Sequence, residues 1–172
     1  MDSAASFVKM SPNFMLLKVL ELRNLAITHV PDVVADLFNL RYLSLRRTHM
    51  ENLPKHIDKL QMLETLDVKG TRVEYIARRI RKLSRLRHLL MDQPKLHTKD
   101  DILIYLTTHI HSWVWQLKDL LTLKTVGVDS SIIEGMGTLI HLRRLGLENL
   151  KEKQGLYIVC PFNSQAENDY RK

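Results

Sequence analysis

The sequence predicts an α/β solenoid, with short strands forming a curved parallel sheet on the concave side and short helical or 3₁₀ turns on the convex side. Two observations support this fold: apolar residues recur with a 23-residue period, and each unit joins an alternating Leu-x-Leu run to an apolar pair three residues apart. Alternation indicates a strand with one buried face, whereas a spacing of three indicates a helical turn. A unit this short cannot bury its own apolar side chains, so the units must stack.

The repeat begins with leading leucines that stand 23 residues apart, at Leu17, Leu40, Leu63 and Leu86. Apolar residues follow each of them at the third and fifth positions, as Leu43 and Leu45 follow Leu40. An apolar pair also lies six and three residues before each leading leucine from the second unit onward. This pattern is typical of leucine-rich repeats, and it predicts about six coils over residues 13–150, after an N-terminal extension over residues 1–12.

The register loosens after Met91, and we expect an irregular insertion over about residues 94–116 that contains Trp113 and Trp115. Leu123 is interpreted as the next leading leucine, with Val126 and Val128 as the buried residues of its strand. Residues 151–172 are polar and lack the period, so we expect a flexible tail that is a poor cap for the last coil.

Two threonines, Thr48 and Thr71, share one column of the repeat. A threonine hydroxyl can donate to a backbone carbonyl, and we expect these two to bond carbonyls in the adjacent coil. Both threonines are therefore predicted to be structural.

The composition excludes several classes of protein. The 172 residues include 26 Lys and Arg against 19 Asp and Glu, which gives a net charge of +7. The single cysteine, Cys160, excludes a disulfide framework and any multi-cysteine metal site. No apolar run approaches the roughly 20 residues that a membrane helix needs, and no secretory signal is evident. These features favour the cytoplasm and argue against membrane insertion.

Several segments resemble plant intracellular disease-resistance proteins of the coiled-coil, nucleotide-binding, leucine-rich-repeat family. Residues 40–54 read LRYLSLRRTHMENLP, residues 65–71 read TLDVKGT, and residues 86–90 read LRHLL. Two later segments fit the same family, LKDLLTLKTV at 117–126 and LRRLGL at 142–147. The resemblance covers residues 13–150 and concerns the leucine-rich-repeat portion alone. The sequence has no Gly-x-x-x-x-Gly-Lys-Ser/Thr phosphate loop, so the nucleotide-binding switch of such proteins is not present in this chain.

The resemblance implies a protein-binding module of plant innate immunity. Such a module would recognise a pathogen effector or a host protein and would regulate a nucleotide-binding switch domain carried by another polypeptide or by a longer product. The expectation is that the chain is a fragment or a truncated gene product. Two alternatives stay open: a scaffold similar to intracellular Ras-pathway repeat proteins, which share the 23-residue period, and a nonfunctional remnant.

Strand residues that flank the buried leucines are predicted to face solvent on the concave side and to form a ladder about 5 Å apart. Such a continuous surface suits protein recognition, and Tyr and Arg are enriched at binding hot spots. The candidate binding residues are Arg23, Tyr42, Ser44, Arg46, Asp67, Lys69, His88 and Arg144.

A basic patch is predicted on the convex turn of one unit, at Arg78, Arg79, Arg81, Lys82 and Arg85. An acidic protein surface is the favoured partner, and in the family the early repeats pack on the nucleotide-binding region. Nucleic acid is disfavoured because aromatic residues do not alternate with the basic ones and no nucleic-acid-binding module is recognisable.

The sequence offers no catalytic or cofactor-binding constellation. It contains neither Gly-x-Ser-x-Gly nor His-Glu-x-x-His, and no acid–base pair that the predicted fold would bring together. His109 and His111 would share a face of a strand, but no carboxylate or cysteine column supports them as metal ligands. We therefore expect a protein that is not an enzyme and that needs no metal or cofactor.

Overall fold

The fold is described by a computed structural model, which covers residues 12–91, 95–97, 103–105, 110–127, 135, 137–149 and 154–159. Six strands in this part of the chain pair in parallel to form one open sheet, and a seventh joins its end in the antiparallel direction. The strands of this sheet, in spatial order, are β1 (Val19–Glu21), β2 (Tyr42–Ser44), β3 (Thr65–Asp67), β4 (His88–Leu90), β7 (Thr122–Gly127), β8 (Arg144–Asn149) and β9 (Gln154–Val159). A separate antiparallel pair is formed by β5 (Lys95–His97) and β6 (Leu103–Tyr105).

The register of the first four strands confirms the 23-residue period. Leu20 pairs with Leu43, Leu43 with Leu66, and Leu66 with Leu89, so the inward residues of successive strands stack directly on one another. One carbonyl before each strand binds two amides of the next coil, as Arg41 O accepts from the N–H groups of Glu64 and Thr65. This arrangement repeats at every parallel junction and fixes the stagger between coils.

The convex side is built from short 3₁₀ helices at the same place in each coil. Their bounds are Pro12–Leu16, Asp32–Asp36, Ile57–Lys59, Arg78–Lys82 and Ser112–Gln116. In four of them the leucine after the helix donates its N–H to the carbonyl three residues earlier, for example Leu60 N–H to Ile57 O. The apolar pair spaced by three residues is the sequence signal of this turn.

One continuous hydrophobic core lies between the sheet and the 3₁₀ helices. Leu43, Leu66, Leu89 and Leu123 form one of its columns and are fully buried. Full burial of a leucine contributes roughly 1.5–3 kcal/mol, and each column spans several coils, so the core exists only when the coils stack.

The two column threonines are buried, but their hydroxyls bond within their own coil. Thr48 Oγ1 donates to Leu45 O at 2.8 Å, and Thr71 Oγ1 donates to Val68 O, also at 2.8 Å. The expected bond to the adjacent coil is therefore wrong. The turn after each strand brings the carbonyl three residues back within reach, and a threonine side chain is too short to prefer a more distant acceptor.

The fifth coil differs by three residues from the register expected from the sequence. Leu123 pairs with Leu89, so it is an inward strand residue, and Leu120 takes the place of the leading leucine. Ser112–Gln116 forms the 3₁₀ helix of this coil, so regular structure resumes inside the range assigned to the insertion. Trp113 and Trp115 accordingly belong to the fifth coil and pack in the common core.

The sheet ends in a hairpin rather than in a bare last coil. The antiparallel pairing of β8 with β9 runs from Arg144 opposite Val159 to Asn149 opposite Gln154. β9 lies within the range 151–172 that the sequence assigns to a polar tail, and residues 160–172 lie outside the described residues. The predicted N-terminal extension is likewise described only from Pro12. Among the described residues, no helix has the length and apolar character required to span a bilayer.

Candidate functional site

The parallel register arranges the concave side chains in columns. The first column consists of Val19, Tyr42, Thr65, His88, Thr122 and Arg144, each opposite its neighbour in the next strand. Neighbouring strands of a sheet lie about 4.8 Å apart, so the column extends over roughly 24 Å. Five of its six members, from Tyr42 of β2 to Arg144 of β8, carry aromatic, hydroxyl, imidazole or guanidinium groups.

Five of the eight predicted concave residues are accessible. Arg23 and Arg144 are exposed, whereas Tyr42, Arg46 and His88 are half-buried. The guanidinium Nη2 of Arg23 lies 2.8 Å from the carboxylate Oε2 of Glu21, so the outer end of β1 carries an ion pair. Arg46 follows β2 at the equivalent position and adds a second cation beside Arg23 in the stack.

The other three concave residues are buried, and the expectation that they face solvent is wrong. Ser44, Asp67 and Lys69 expose only 2%, 5% and 8% of their surface. Ser44 has a short side chain and lies between Glu21 and Asp67 of the neighbouring strands. Asp67 Oδ1 accepts the backbone N–H of Lys69 at 3.0 Å, which folds the carboxylate back onto the turn. Asp67 therefore stabilises the chain reversal and presents little surface to a ligand.

His88 lies near the middle of the sheet and contacts the next strand directly. Its Nδ1 is 3.1 Å from Thr122 Oγ1. Burial lowers the pKa of His88 below its ordinary value, and the nearby positive charges of Arg87 and Arg144 lower it further. The neutral imidazole is therefore the dominant form at pH 7, and it can act as either donor or acceptor towards Thr122 and a bound ligand.

Two concave residues of the fifth coil were missed because of the three-residue register error. Thr122 lies opposite His88, and Lys124 lies opposite Leu90. The sequence interpretation starts the strand three residues later, with Val126 as its first buried residue, and so leaves both residues out of the strand. Lys124 is exposed, and it adds a positive charge to the concave column that also contains Glu21, Ser44, Asp67 and Leu90. The signal that identifies them is the pair Val114 and Leu117, which matches Ile80 and Leu83 of the preceding coil.

The predicted basic patch lies on the convex side, where Arg78–Lys82 forms the 3₁₀ helix of the fourth coil. All five residues of the patch, Arg78, Arg79, Arg81, Lys82 and Arg85, are exposed. Two of them bond the preceding coil: the guanidinium of Arg79 donates to Lys55 O, and Lys82 Nζ lies 2.9 Å from Asp58 Oδ2. The side chains of the other three have no ion pair within the described part of the chain.

The pairing of Lys82 with Asp58 belongs to a ladder of ion pairs that joins successive 3₁₀ helices. Lys59 Nζ lies 3.2 Å from Asp36 Oδ1, one coil earlier. The hydrogen bond from Lys82 lowers the pKa of Asp58, and the charges of Lys82 and Arg79 act in the same direction. Part of the patch thus stabilises the stack, and the charges left for a partner are those of Arg78, Arg81 and Arg85.

The described residues contain no group of three or more histidine, cysteine, aspartate or glutamate side chains arranged to hold a metal ion. His111 is exposed at the start of the fifth-coil 3₁₀ helix. His109 and Cys160 lie outside the described residues.

Comparisons with known proteins agree with the geometry. A family model described as a leucine-rich repeat region matches residues 1–157. A search of curated proteins finds no significant match.

Three solved structures illustrate the likeness of fold. A leucine-rich repeat protein of Leptospira interrogans superposes with a TM-score of 0.61 at 24% identity, over 76% of this chain and 31% of that chain. An internalin from Listeria monocytogenes superposes with a TM-score of 0.57 at 21% identity, over 76% of this chain and 34% of that chain. The ectodomain of the receptor kinase SOBIR1 from Arabidopsis thaliana superposes with a TM-score of 0.52 at 23% identity, over 72% of this chain and 65% of that chain. The chain spans about a third of the length of the first two, and all three show the fold alone.

Proposed function

The chain belongs to the leucine-rich repeat family, and we propose that it is a protein-binding module whose concave sheet carries the recognition surface. The observation that carries this proposal is the in-register column of Tyr42, Thr65, His88, Thr122 and Arg144, of which all but the buried Thr122 are accessible. These groups are held by backbone pairing, so a partner meets a preformed surface and little ordering cost accompanies binding.

The chemistry of this surface favours an extended protein segment with acidic groups. Arg46, Lys124 and Arg144 supply positive charge, and Arg23 is already paired with Glu21. Tyr42 supplies an aromatic contact with a hydroxyl, which suits a half-desolvated interface. We assign the recognition role to Tyr42, Arg46, His88, Lys124 and Arg144. Thr122 is buried, and its hydroxyl positions the imidazole of His88.

We further propose that the module acts in plant innate immunity, in the cytoplasm, where it binds a pathogen effector or a host protein and regulates a nucleotide-binding switch domain. The support is the resemblance of residues 40–91 to the repeats of the coiled-coil class of plant resistance proteins. The switch domain docks on the convex basic patch through an acidic surface. Arg81 and Arg85 are the docking residues, since they are exposed and have no ion pair within the described residues.

The docking proposal is tested with the intact chain and a purified nucleotide-binding domain from a plant resistance protein of the coiled-coil class, by biolayer interferometry. The double variant Arg81→Glu, Arg85→Glu reverses two charges of the patch without touching the core. We expect it to weaken binding by at least tenfold, because each rim charge mainly changes association and two act together.

Arg72→Glu is the control, since Arg72 is exposed on the turn after β3 and lies outside the patch. It should leave the affinity within about twofold, apart from the general effect of charge at low salt. Absence of binding by the unmodified chain, or equal loss with Arg72→Glu, would exclude docking through the patch. Neither outcome would bear on recognition by the concave side.

A further inference from the structure

The strand β1 lies at an edge of the sheet, where it pairs with β2 and with no other described strand. Lys18 O accepts two amides of the second coil and Leu22 N–H donates to Ser44 O, so the backbone groups of Lys18 and Leu22 point towards β2. Backbone groups alternate in direction along a strand. The N–H and C=O groups of Val19 and Glu21 therefore point out of the sheet, and no described residue bonds them.

The first coil also carries most of the large apolar side chains that are exposed in the described part of the chain. Five of these eight belong to it: Phe14, Met15, Leu16, Val19 and Leu25. Phe14 exposes 44% of its surface, whereas its counterpart one coil later, Leu37, exposes 4%. Leu17 and Leu20 begin two columns of the core and are half-buried, whereas the next members of both columns are fully buried. An apolar face beside an open strand edge is a template for pairing.

The two ends of the sheet differ, and the difference restricts how copies of the chain can associate. At the far end β9 pairs antiparallel with β8, so the last parallel strand is covered. A head-to-tail stack would need an uncovered parallel strand at both ends, and it would grow without limit. Pairing of β1 with β1 of a second copy closes the assembly at two copies and covers both of these edges.

The edge of β1 is self-complementary in the antiparallel direction. With Leu20 opposite Leu20 of the second copy, Val19 lies opposite Glu21 of that copy, and their outward N–H and C=O groups pair through four hydrogen bonds across the dimer. Residues opposite each other share one face of a sheet, so the two Leu20 side chains meet on the core side. The ion pair of Glu21 with Arg23 compensates the carboxylate within its own copy.

The amount of exposed apolar surface also matches what a stable dimer needs. The five side chains of the first coil present on the order of 500 Å², and a homodimer interface of about 800 Å² per partner, of which about 65% is apolar, requires a similar area. Each copy can therefore bury the apolar face of its first coil against the other.

We propose that the chain forms a closed two-fold dimer, in which the β1 strands of two copies pair antiparallel and the apolar side chains of the two first coils pack on each other. The leucine column that begins with Leu20 then continues from one copy into the other. The two-fold axis is perpendicular to the joined sheet, so both concave surfaces face the same side, and a partner with two binding segments gains avidity. The dimer does not depend on the proposed recognition function.

Sedimentation equilibrium of the intact chain, from about 1 to 100 µM, tests the association. We expect a reversible equilibrium between monomer and dimer, with no larger species. A chain that stays monomeric over this range would overturn the proposal and would leave the edge to a different polypeptide. Assemblies that grow beyond two copies would overturn it as well, because the pairing of two β1 edges is closed.

Two variants at Val19 test the register, since they add opposite charges at one exposed position of β1. Val19→Glu places a carboxylate opposite Glu21 of the second copy, twice in each dimer, and should raise the dissociation constant at least about tenfold. Val19→Lys places an ammonium group opposite the same carboxylate, and the constant should stay within about threefold of that of the unmodified chain.

Ile140→Glu is the matched control, since Ile140 is 77% exposed on the turn before β8, away from the β1 edge. It should leave the dissociation constant within about twofold, because it adds the same charge outside the interface. Circular dichroism verifies that all three variants are folded. Equal weakening by the two Val19 variants, or a loss with Ile140→Glu as large as that with Val19→Glu, would overturn the proposed pairing.

Discussion

Lys82 Nζ lies 2.9 Å from Asp58 Oδ2, so the 3₁₀ helix of the fourth coil is tied by an ion pair to that of the third. The carboxylate side chain is only 21% exposed, whereas the lysine side chain is 59% exposed. Lys59 and Asp36 repeat the relationship one coil earlier at 3.2 Å. The ladder of ion pairs on the convex side thus joins successive 3₁₀ helices and adds to the stabilisation that the hydrophobic core gives to the stacked coils.

Because of this ion pair, we expect the free energy of unfolding to fall at acid pH. The pKa of Asp58 is lowered in the folded chain, mainly by the hydrogen bond from Lys82. A lowered carboxyl pKa contributes stability that is present above the ordinary value of 3.8 and is lost as the pH falls through the folded value. We expect a double-mutant cycle of Asp58→Asn and Lys82→Gln to give a coupling of up to about 1 kcal/mol at neutral pH.

Urea denaturation of the four proteins of that cycle measures the coupling. The coupling energy between Asp58 and Lys82 should shrink towards zero at a pH well below 3.8 and in molar salt, because protonation or screening removes the attraction. A coupling that is the same at both pH values would show that the pair contributes through packing rather than charge.

The buried threonines are expected to stabilise the turns that follow the strands. Thr48→Val keeps the shape of the side chain but removes the hydrogen bond to Leu45 O, and it should lower the free energy of unfolding by about 1 kcal/mol. Thr28→Val is the control, since Thr28 is exposed and, within the described part of the chain, its hydroxyl contacts only the neighbouring His29. Equal effects of the two substitutions in thermal or urea melts would contradict the structural role of Thr48.

A column of left-handed residues follows the first three strands. Asn24, Arg47 and Gly70 occur one per coil and have φ values of 60°, 55° and 68°. Glycine adopts this conformation without cost, and a Cβ at Gly70 would lie 3.1 Å from Arg47 Cγ. Gly70→Ala should therefore destabilise the chain by about 1 kcal/mol or more.

Gly137→Ala is the matched control for that substitution. A Cβ at Gly137 has no heavy atom within 4 Å, and its φ is not in the left-handed range. We expect it to be neutral or slightly stabilising in the same denaturation experiment, since alanine restricts the unfolded chain. A Gly70→Ala melt that matches the unmodified chain would exclude a conformational requirement at this turn.

His88, on the concave side, is expected to make a second contribution to the pH dependence of the free energy of unfolding. Its pKa is lowered by burial, so the unfolded chain binds a proton more readily than the folded chain just below pH 6.5. Stability should therefore fall as the pH drops below 6.5, and His88→Gln should remove that part of the loss. Urea melts at about pH 7.5 and pH 5 measure the difference, and identical pH dependence of both proteins would contradict a half-buried neutral imidazole.

The first four coils were predictable from the sequence because their leucine columns repeat at a constant spacing, so Leu20, Leu43, Leu66 and Leu89 align in only one way. In the fifth coil Val114, Leu117, Leu120 and Leu123 are each three residues apart, and that run fits two registers equally well. The structure resolves the ambiguity by pairing Leu123 with Leu89.

The candidate sites were predictable in part. Alternation along a strand identifies the face on which Ser44 and Asp67 lie, but it contains no information on how far neighbouring side chains cover that face. The positive φ of Arg47 was also unpredictable, although Asn24 and Gly70 at equivalent positions are residues that favour it.

The claim that the concave sheet recognises a protein is tested most directly by photo-crosslinking in plant cells. Tyr42, in the concave column, and Phe38, which is 52% exposed on the turn before β2, are each replaced by benzoylphenylalanine in the intact chain. Irradiation should produce a discrete protein adduct from position 42 and none of the same size from position 38. Adding Arg144→Glu, a charge reversal in the same column, should reduce that adduct severalfold. An adduct that forms equally from both positions, or from position 38 alone, would contradict recognition by the concave side.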